Sequence, residues 1–276
     1  MNKFATLILF YLFYQLSFGQ NEIIDNHTLQ TLKLKGKVKS VKSRENDCLF
    51  DTLGNLILET LHTDSGSIIN YSLNYDLKFR ISEIYDLDKG KIKVYSYDSL
   101  NRVVSSVQTS IINAEDVYIN KFHYGNFNLL IQKDSYNNGV KLLSQIFKYD
   151  SLNRLVLSEY REGGLNVYQY NEMNQLVKTV WMAGDGTVND IKTYTYEKGM
   201  LIAQKWLLYE KGKVGAYIDE KYEKGLIKEE IEVYLNSQEQ IKHCFSYKFD
   251  KEGNWIKMTR DDEGEIKSYE REIEYY

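Results

Sequence analysis

The chain repeats itself. An aromatic residue, usually followed by Asp, then a Gly or Asn three or four residues on and an apolar run, recurs nine times, beginning at Phe50, Tyr75, Tyr97, Tyr124, Tyr149, Tyr170, Tyr196, Tyr222 and Phe249. Successive starts lie 21 to 27 residues apart. At that period each unit is one small supersecondary element that buries its apolar face only against its neighbours. The clearest copies, Tyr97-Asp98-Ser99-Leu100-Asn101-Arg102-Val103-Val104 and Tyr149-Asp150-Ser151-Leu152-Asn153-Arg154-Leu155-Val156, differ only at Val103 and Leu155.

Each part of the motif has a mechanical role in a hairpin turn. The Asp carboxylate accepts backbone N–H groups, and Gly or Asn tolerates the left-handed conformation that follows. Eight copies carry Gly54, Asn101, Asn128, Asn153, Asn174, Gly199, Gly225 or Gly253 at that point, whereas the second offers Phe79 or Arg80, so its hairpin is expected to be irregular. Two residues before the aromatic stand Cys48, Leu73, Tyr95, Phe122, Phe147, Tyr168, Tyr194, Glu220 and Tyr247, with polar residues between in eight copies. That alternation of period two is a strand with one buried face. Return strands such as Leu56-Ile57, Leu155-Val156-Leu157 and Leu226-Ile227 follow, and looser turns such as Asn137-Asn138-Gly139 and Ala183-Gly184-Asp185-Gly186 close each unit. With Lys37 to Arg44 as opening strand and Lys267 to Tyr276 as closing strand, about 18 to 20 antiparallel strands are expected. The expected fold is all-β: tandem antiparallel β-hairpins in a meander forming one large twisted or coiled sheet.

Composition agrees, with 24 Tyr and no Pro among 276 residues. Aromatics suit a pleated, half-buried surface, and Pro removes a ladder donor. The net charge is −4, which argues against nucleic acid as a partner.

Before the repeats, Lys3 and the apolar run from Phe4 to Leu16 precede Ser17-Phe18-Gly19-Gln20, the pattern of a secretory signal peptide over residues 1–19. The expected product is exported, to the periplasm, the cell envelope or the exterior of a Gram-negative bacterium, with no membrane span after cleavage. Residues 20–35 lack the motif and read as an N-terminal cap covering the first strand edge, and residues 36–276 as the repeat domain. Cys48 and Cys244 could pair in an oxidising compartment if the ends of the fold meet; two separate buried thiols are the simpler reading.

The Tyr-Asp-x-x-Asn/Gly-Arg-Leu/Val core resembles the YD repeats of the RHS family over roughly Lys35 to Tyr276. The stretches Phe249-Asp250-Lys251-Glu252-Gly253-Asn254-Trp255 and Glu270-Arg271-Glu272-Ile273-Glu274-Tyr275-Tyr276 are similar to the endings of exported Bacteroidota proteins. In large RHS proteins such repeats build a coiled β shell that can enclose a C-terminal toxin. The resemblance implies a related sheet; with no Pro-containing processing core and nothing after the last repeat, it does not extend to enclosed cargo.

The spacings that carry common chemistry are missing: no Gly-x-Ser-x-Gly, Gly-x-Gly-x-x-Gly, P-loop, Cys-x-x-Cys or His-Glu-x-x-His occurs. His27, His62, His123 and His243 fall in four separate segments, so no catalytic residue, metal site or cofactor is assigned. Gly184 to Asp190 lacks the spacing of a calcium loop, and Asp261-Asp262-Glu263-Gly264-Glu265 reads as a solvated loop tip. The candidate ligand-binding residues form an aromatic ladder. Trp181 and Trp206 lie 11 and 10 residues after their repeat tyrosines, and Tyr160 and Tyr85 hold comparable offsets. If exposed, the ladder would offer flat faces to sugar rings or aromatic ligands, and if buried it is core.

The leading functional reading is a non-enzymatic exported repeat protein, a binding or scaffold module of the cell envelope whose partner is a protein or glycan. A carbohydrate-active enzyme with loop-edge carboxylates is the first alternative. An outer-membrane barrel is the other; it is placed last because Ile227-Lys228-Glu229-Glu230-Ile231-Glu232 and Glu270-Arg271-Glu272-Ile273-Glu274 put charge on both strand faces.

Overall fold

The computed structural model describes residues 34–62, 68–111, 116–161 and 163–276. The expected leader, and the cap as far as residue 33, lie outside the described residues. The described chain is strands joined by turns, with one 3-10 turn at Asn126–Asn128. It divides into two compact units.

In the first unit lie β1 (Val38–Ser43), β2 (Asn46–Phe50), β3 (Leu56–His62), β4 (Ile68–Tyr75), β5 (Ile81–Asp86), β6 (Lys91–Tyr97), β7 (Val103–Ser110), β8 (Tyr118–Tyr124) and β9 (Leu130–Asn137). β10 (Val140–Tyr149) runs from the first unit into the second, which continues with β11 (Leu155–Tyr160), β12 (Leu165–Tyr170), β13 (Leu176–Met182), β14 (Val188–Glu197), β15 (Met200–Glu210), β16 (Lys213–Glu223), β17 (Leu226–Tyr234), β18 (Glu239–Phe249) and β19 (Trp255–Asp262). β20 (Glu265–Tyr275) runs from the second unit back into the first.

The motif does what its chemistry dictates. In the copy at Tyr97, the Asp98 carboxylate accepts the backbone N–H groups of Leu100 at 2.9 Å and Arg102 at 3.0 Å, and Asn101 sits at φ 63°. These N–H bonds and the Arg102 guanidinium hold the Asp98 carboxyl below the usual carboxylate range. The copies at Asp51, Asp76 and Asp150 repeat the pattern, and Asn171 substitutes for Asp with the same two bonds. At all nine starting aromatics the ladder slips by one residue, from Leu49/Phe50 to Lys248/Phe249. Each motif is therefore a hairpin entered through a β-bulge, which sharpens the local twist.

One expectation fails here. The second hairpin is regular: Phe79 takes the left-handed conformation itself, at φ 59°, and the Asp76 turn closes with the bonds of its neighbours. An altered copy is the one at Tyr124, where Gly125 replaces Asp and Phe127 and Asn128 both adopt positive φ.

A second device links successive repeats. Arg102 binds Asp98 through Nε at 2.7 Å, reaches Asn128 of the next turn at 3.0 Å and lies 4.5 Å over the Tyr124 ring. The Tyr124 hydroxyl then donates to the Val103 carbonyl at 2.9 Å. Arg80 with Tyr97 repeats this arrangement in the first unit, and Arg154 with Tyr170 in the second. Beneath these links Phe50, Leu56, Ile81, Val103 and Leu130 are buried in the first unit, and Phe147, Leu155 and Tyr168 in the second.

The ends of the sheet correct the expected fold class. β1 pairs with β2 through Ser40↔Leu49, Val41↔Cys48 and Lys42↔Asp47, and on its other side with β20 from Val38↔Tyr275 to Ser43↔Arg271. Consecutive strands pair throughout, so every strand has two hydrogen-bonded neighbours. The fold is a closed 20-strand antiparallel barrel in connectivity, not an open twisted or coiled sheet. An open meander leaves a row of unpaired N–H and C=O groups at each end, and here the opening and closing strands satisfy each other's. β20 occupies the second side of β1. Asn254, almost wholly buried, fixes this seam: its side chain accepts from the Lys35 N–H at 2.7 Å and donates to the Lys35 carbonyl and the Tyr275 hydroxyl. The Tyr276 hydroxyl donates to the Phe50 carbonyl at 2.6 Å.

Candidate functional site

The repeat breaks at one position. Two residues before the motif aromatic the chain points into the buried face, and eight copies place an apolar residue there. The ninth places Glu220, which is only 5% exposed. Its carboxylate accepts from the Tyr222 hydroxyl at 2.6 Å. The registers of β16, β17, β18 and β19 set Glu220 opposite Glu230, Glu230 opposite His243, and His243 opposite Asp262. A row of four ionisable side chains thus crosses the buried face of the second unit, and all but Asp262 are classed as buried. Glu232 joins it, two residues beyond Glu230 on the same face.

His243 is the hub. Its Nδ1 lies 2.6 Å from Asp262 Oδ1, while Nε2 faces Glu232 Oε1 at 3.5 Å and Glu230 Oε1 at 3.9 Å. Asp262 is itself held by Arg260 Nη2 at 2.8 Å and Lys267 Nζ at 2.9 Å. Burial raises its pKa, but hydrogen bonds from Arg260, Lys267 and His243 outweigh this and bring it down to about 2. Glu232 accepts from the Tyr234 hydroxyl at 2.6 Å. Glu230 is pushed the other way: burial first, then the neighbouring Glu220 and Glu232 carboxylates, outweigh the favourable charges of His243 and Arg260 and push it up to about 7. Its Oε2 is buried with no hydrogen-bond partner. Among the described residues Glu230, Glu232 and His243 are the group able to offer three ligand atoms to one metal ion.

The aromatic ladder is brought together in part. In the second unit Ser158 pairs with Asn166, Asn166 with Trp181 and Trp181 with Asp190, while Lys192, two residues along from Asp190, pairs with Trp206. Tyr160, two residues from Ser158, thus shares a face with Trp181 and Trp206. It is the same face that carries Glu220 and His243, as Gln204 pairs with Glu220. Trp181 is 42% exposed, and Trp206 is half-buried with Lys192 Nζ 4.1 Å over its ring. Tyr85 lies in the first unit on the opposite face, since its neighbour Ile84 pairs with buried Leu73. The reason is turn parity. Tyr75 is bonded to Ile81, six residues on, whereas Tyr196 is bonded to Leu201, five residues on, so an offset of ten falls inward after Tyr196 and outward after Tyr75.

Sequence reasoning missed the ionisable row because its members come from four strands. Two signals were present: Glu220 as the one charged residue at an apolar repeat position, and Glu230 and Glu232 spaced to share a face. The Asp261 to Glu265 tip is not wholly solvated, for Asp262 turns onto His243 while Asp261 stays exposed and accepts the Gly264 N–H at 2.7 Å. Asp185 accepts the Thr187 N–H within its own turn. Cys48 and Cys244 are both free; Cys48 is buried, but Cys244 is exposed, contrary to the reading of two buried thiols.

No protein-family model matches the chain, and no curated protein does. Among solved structures, a chain of the TcdB2–TccC3–Cdc42 structure is similar at 13% identity and TM-score 0.39, over 81% of this chain and 15% of that one. This chain thus spans about 15% of the length of that relative. A porin-like protein from Bacteroides uniformis is similar at 10% identity and TM-score 0.39, over 87% of this chain and 98% of that one. A porin-like protein from Bacteroides vulgatus is similar at 9% identity and TM-score 0.32, with the same coverage. All three scores lie below 0.5, so the reading of the site rests on this chain's own residues.

Proposed function

We propose that this chain serves in the cell envelope as a closed β-barrel that works through the buried face of its sheet, not as an open scaffold ribbon. The observation that carries the proposal is the β1–β20 pairing, which removes both free edges. Closure supports the barrel reading, the outer-membrane barrel placed last from sequence, over the scaffold module placed first. Export rests on the leader pattern of residues 1–19. The half-open row of Tyr160, Trp181 and Trp206 offers flat faces suited to a glycan or an aromatic group of a protein partner.

A second reading, the same barrel standing in water, is favoured by the exposed face of the second unit. There Lys221 and Lys242 both pair with Glu229 at 2.7 Å, and Lys205 pairs with Asp219 at 3.1 Å. A Lys on a lipid-facing strand costs up to about 2–4 kcal/mol at the bilayer midplane. Fractionation of a Gram-negative host expressing the full chain separates the two. Release only by detergent places the barrel in the outer membrane, and release by osmotic shock places it in the periplasm. Retention in the cytosol with the leader uncut would overturn the envelope assignment.

A further inference from the structure

We propose that Glu230, Glu232 and His243 bind one divalent transition-metal ion of the zinc class on the buried face of β17 and β18. One ligand atom from each residue lies within 4.8 Å of the others. Around a common ion at ~2.0–2.2 Å, ligand atoms stand roughly 3–4 Å apart, so the 3.5 and 3.9 Å separations from His243 Nε2 need only side-chain adjustment. The strands supply this geometry directly: Glu230 and His243 are register partners, and Glu232 follows two residues on.

An acidic cluster alone would not carry this assignment, and two further observations do. Glu230 is 3% exposed and its Oε2 has no hydrogen-bond partner, although a buried acceptor left unsatisfied is costly. A cation held between Glu230, Glu232 and His243, and bound by both oxygens of Glu230, would give Oε2 that partner and offset the carboxylates that crowd it. The surrounding groups are also those that orient metal ligands. Asp262, 2.6 Å from Nδ1, sets the imidazole tautomer that leaves the Nε2 lone pair facing the two glutamates, and Tyr234 anchors Glu232. Arg260 and Lys267 also bind Asp262, which keeps it a carboxylate.

One nitrogen with two carboxylates suits zinc better than calcium or magnesium, which prefer all-oxygen shells. Three protein ligands leave a fourth position open. Tyr234, two residues beyond Glu232, also lines an open recess with Leu208 and Ala216. The inference is independent of whether the barrel stands in lipid or water.

The test is calorimetric titration of Zn2+ into EDTA-stripped full chain carrying no histidine tag, with Ca2+ and Mg2+ as comparison ions. Saturable binding of one Zn2+ per chain is expected, with Ca2+ and Mg2+ far weaker. His243→Ala and Glu230→Gln should abolish it, and Asp262→Asn should weaken it by about 10–100-fold. Glu229→Gln, which alters the opposite face, should leave the affinity unchanged. Circular dichroism checks that each variant folds; should His243→Ala lose its β signal, the near-isosteric Glu230→Gln and Glu232→Gln carry the comparison. No saturable Zn2+ binding by the native chain, or unchanged affinity in folded Glu230→Gln and Glu232→Gln, would overturn the proposal.

Discussion

Single residues set the turns on which the sheet depends. The left-handed region costs an ordinary L-residue roughly 1–2 kcal/mol, and Asn enters it routinely. Of the motif turns whose aromatic pairs six residues on, as Tyr75 does with Ile81, six place Asn or Gly there, whereas the second places Phe79, which is 63% exposed and contributes little packing. Phe79→Asn is therefore expected to stabilise the protein by about 1 kcal/mol, read as a rise in the urea midpoint at unchanged slope. A fall in the midpoint would mean that the Phe79 ring contributes more than its exposure indicates. The same scale explains how Glu220 marks the ionisable row: a carboxylate at a position that is otherwise apolar persists only where a partner awaits it, and here that is the Tyr222 hydroxyl.

At the scale of the hairpin, much of the architecture was legible. Tyr97 and Tyr149 occupy matching bulges, the opening and closing strands fall within a residue or two of the expected spans, and period-two alternation assigned the buried face correctly at the positions two before each aromatic. What was not legible was face parity after a turn of unassigned length, which is why an offset comparable to that of Trp206 leaves Tyr85 on the opposite face. The Arg–Tyr links were also missed, although Arg80, Arg102 and Arg154 follow their turn residues at one spacing; only the next hairpin in space reveals their second partner. Arg102→Lys keeps the charge but loses the fork to Asp98 and much of the stacking on Tyr124. A loss of roughly 1 kcal/mol is expected, measured by denaturant unfolding, and Asn128→Ala in the Lys background should add little.

For the molecule as a whole, the decisive feature is one that local periodicity does not record. Alternation says that Val38 to Ser43 and Glu265 to Tyr275 are strands; it does not say that they are neighbours. That follows from the register that joins Lys42 to Glu272 and from Asn254 and Tyr276 tying the C-terminal strand back to Lys35 and Phe50. Gathering the ionisable row likewise needs four strands in fixed register, which no linear motif encodes. Amide hydrogen exchange of the folded chain, resolved by residue, tests closure most directly. In a closed sheet the amides of Val38–Ser43 and Arg271–Tyr275 are protected on both sides of their strands, to the same degree as those of interior strands such as β15. Fast exchange at every second residue of both segments would mean two open edges and would contradict the barrel.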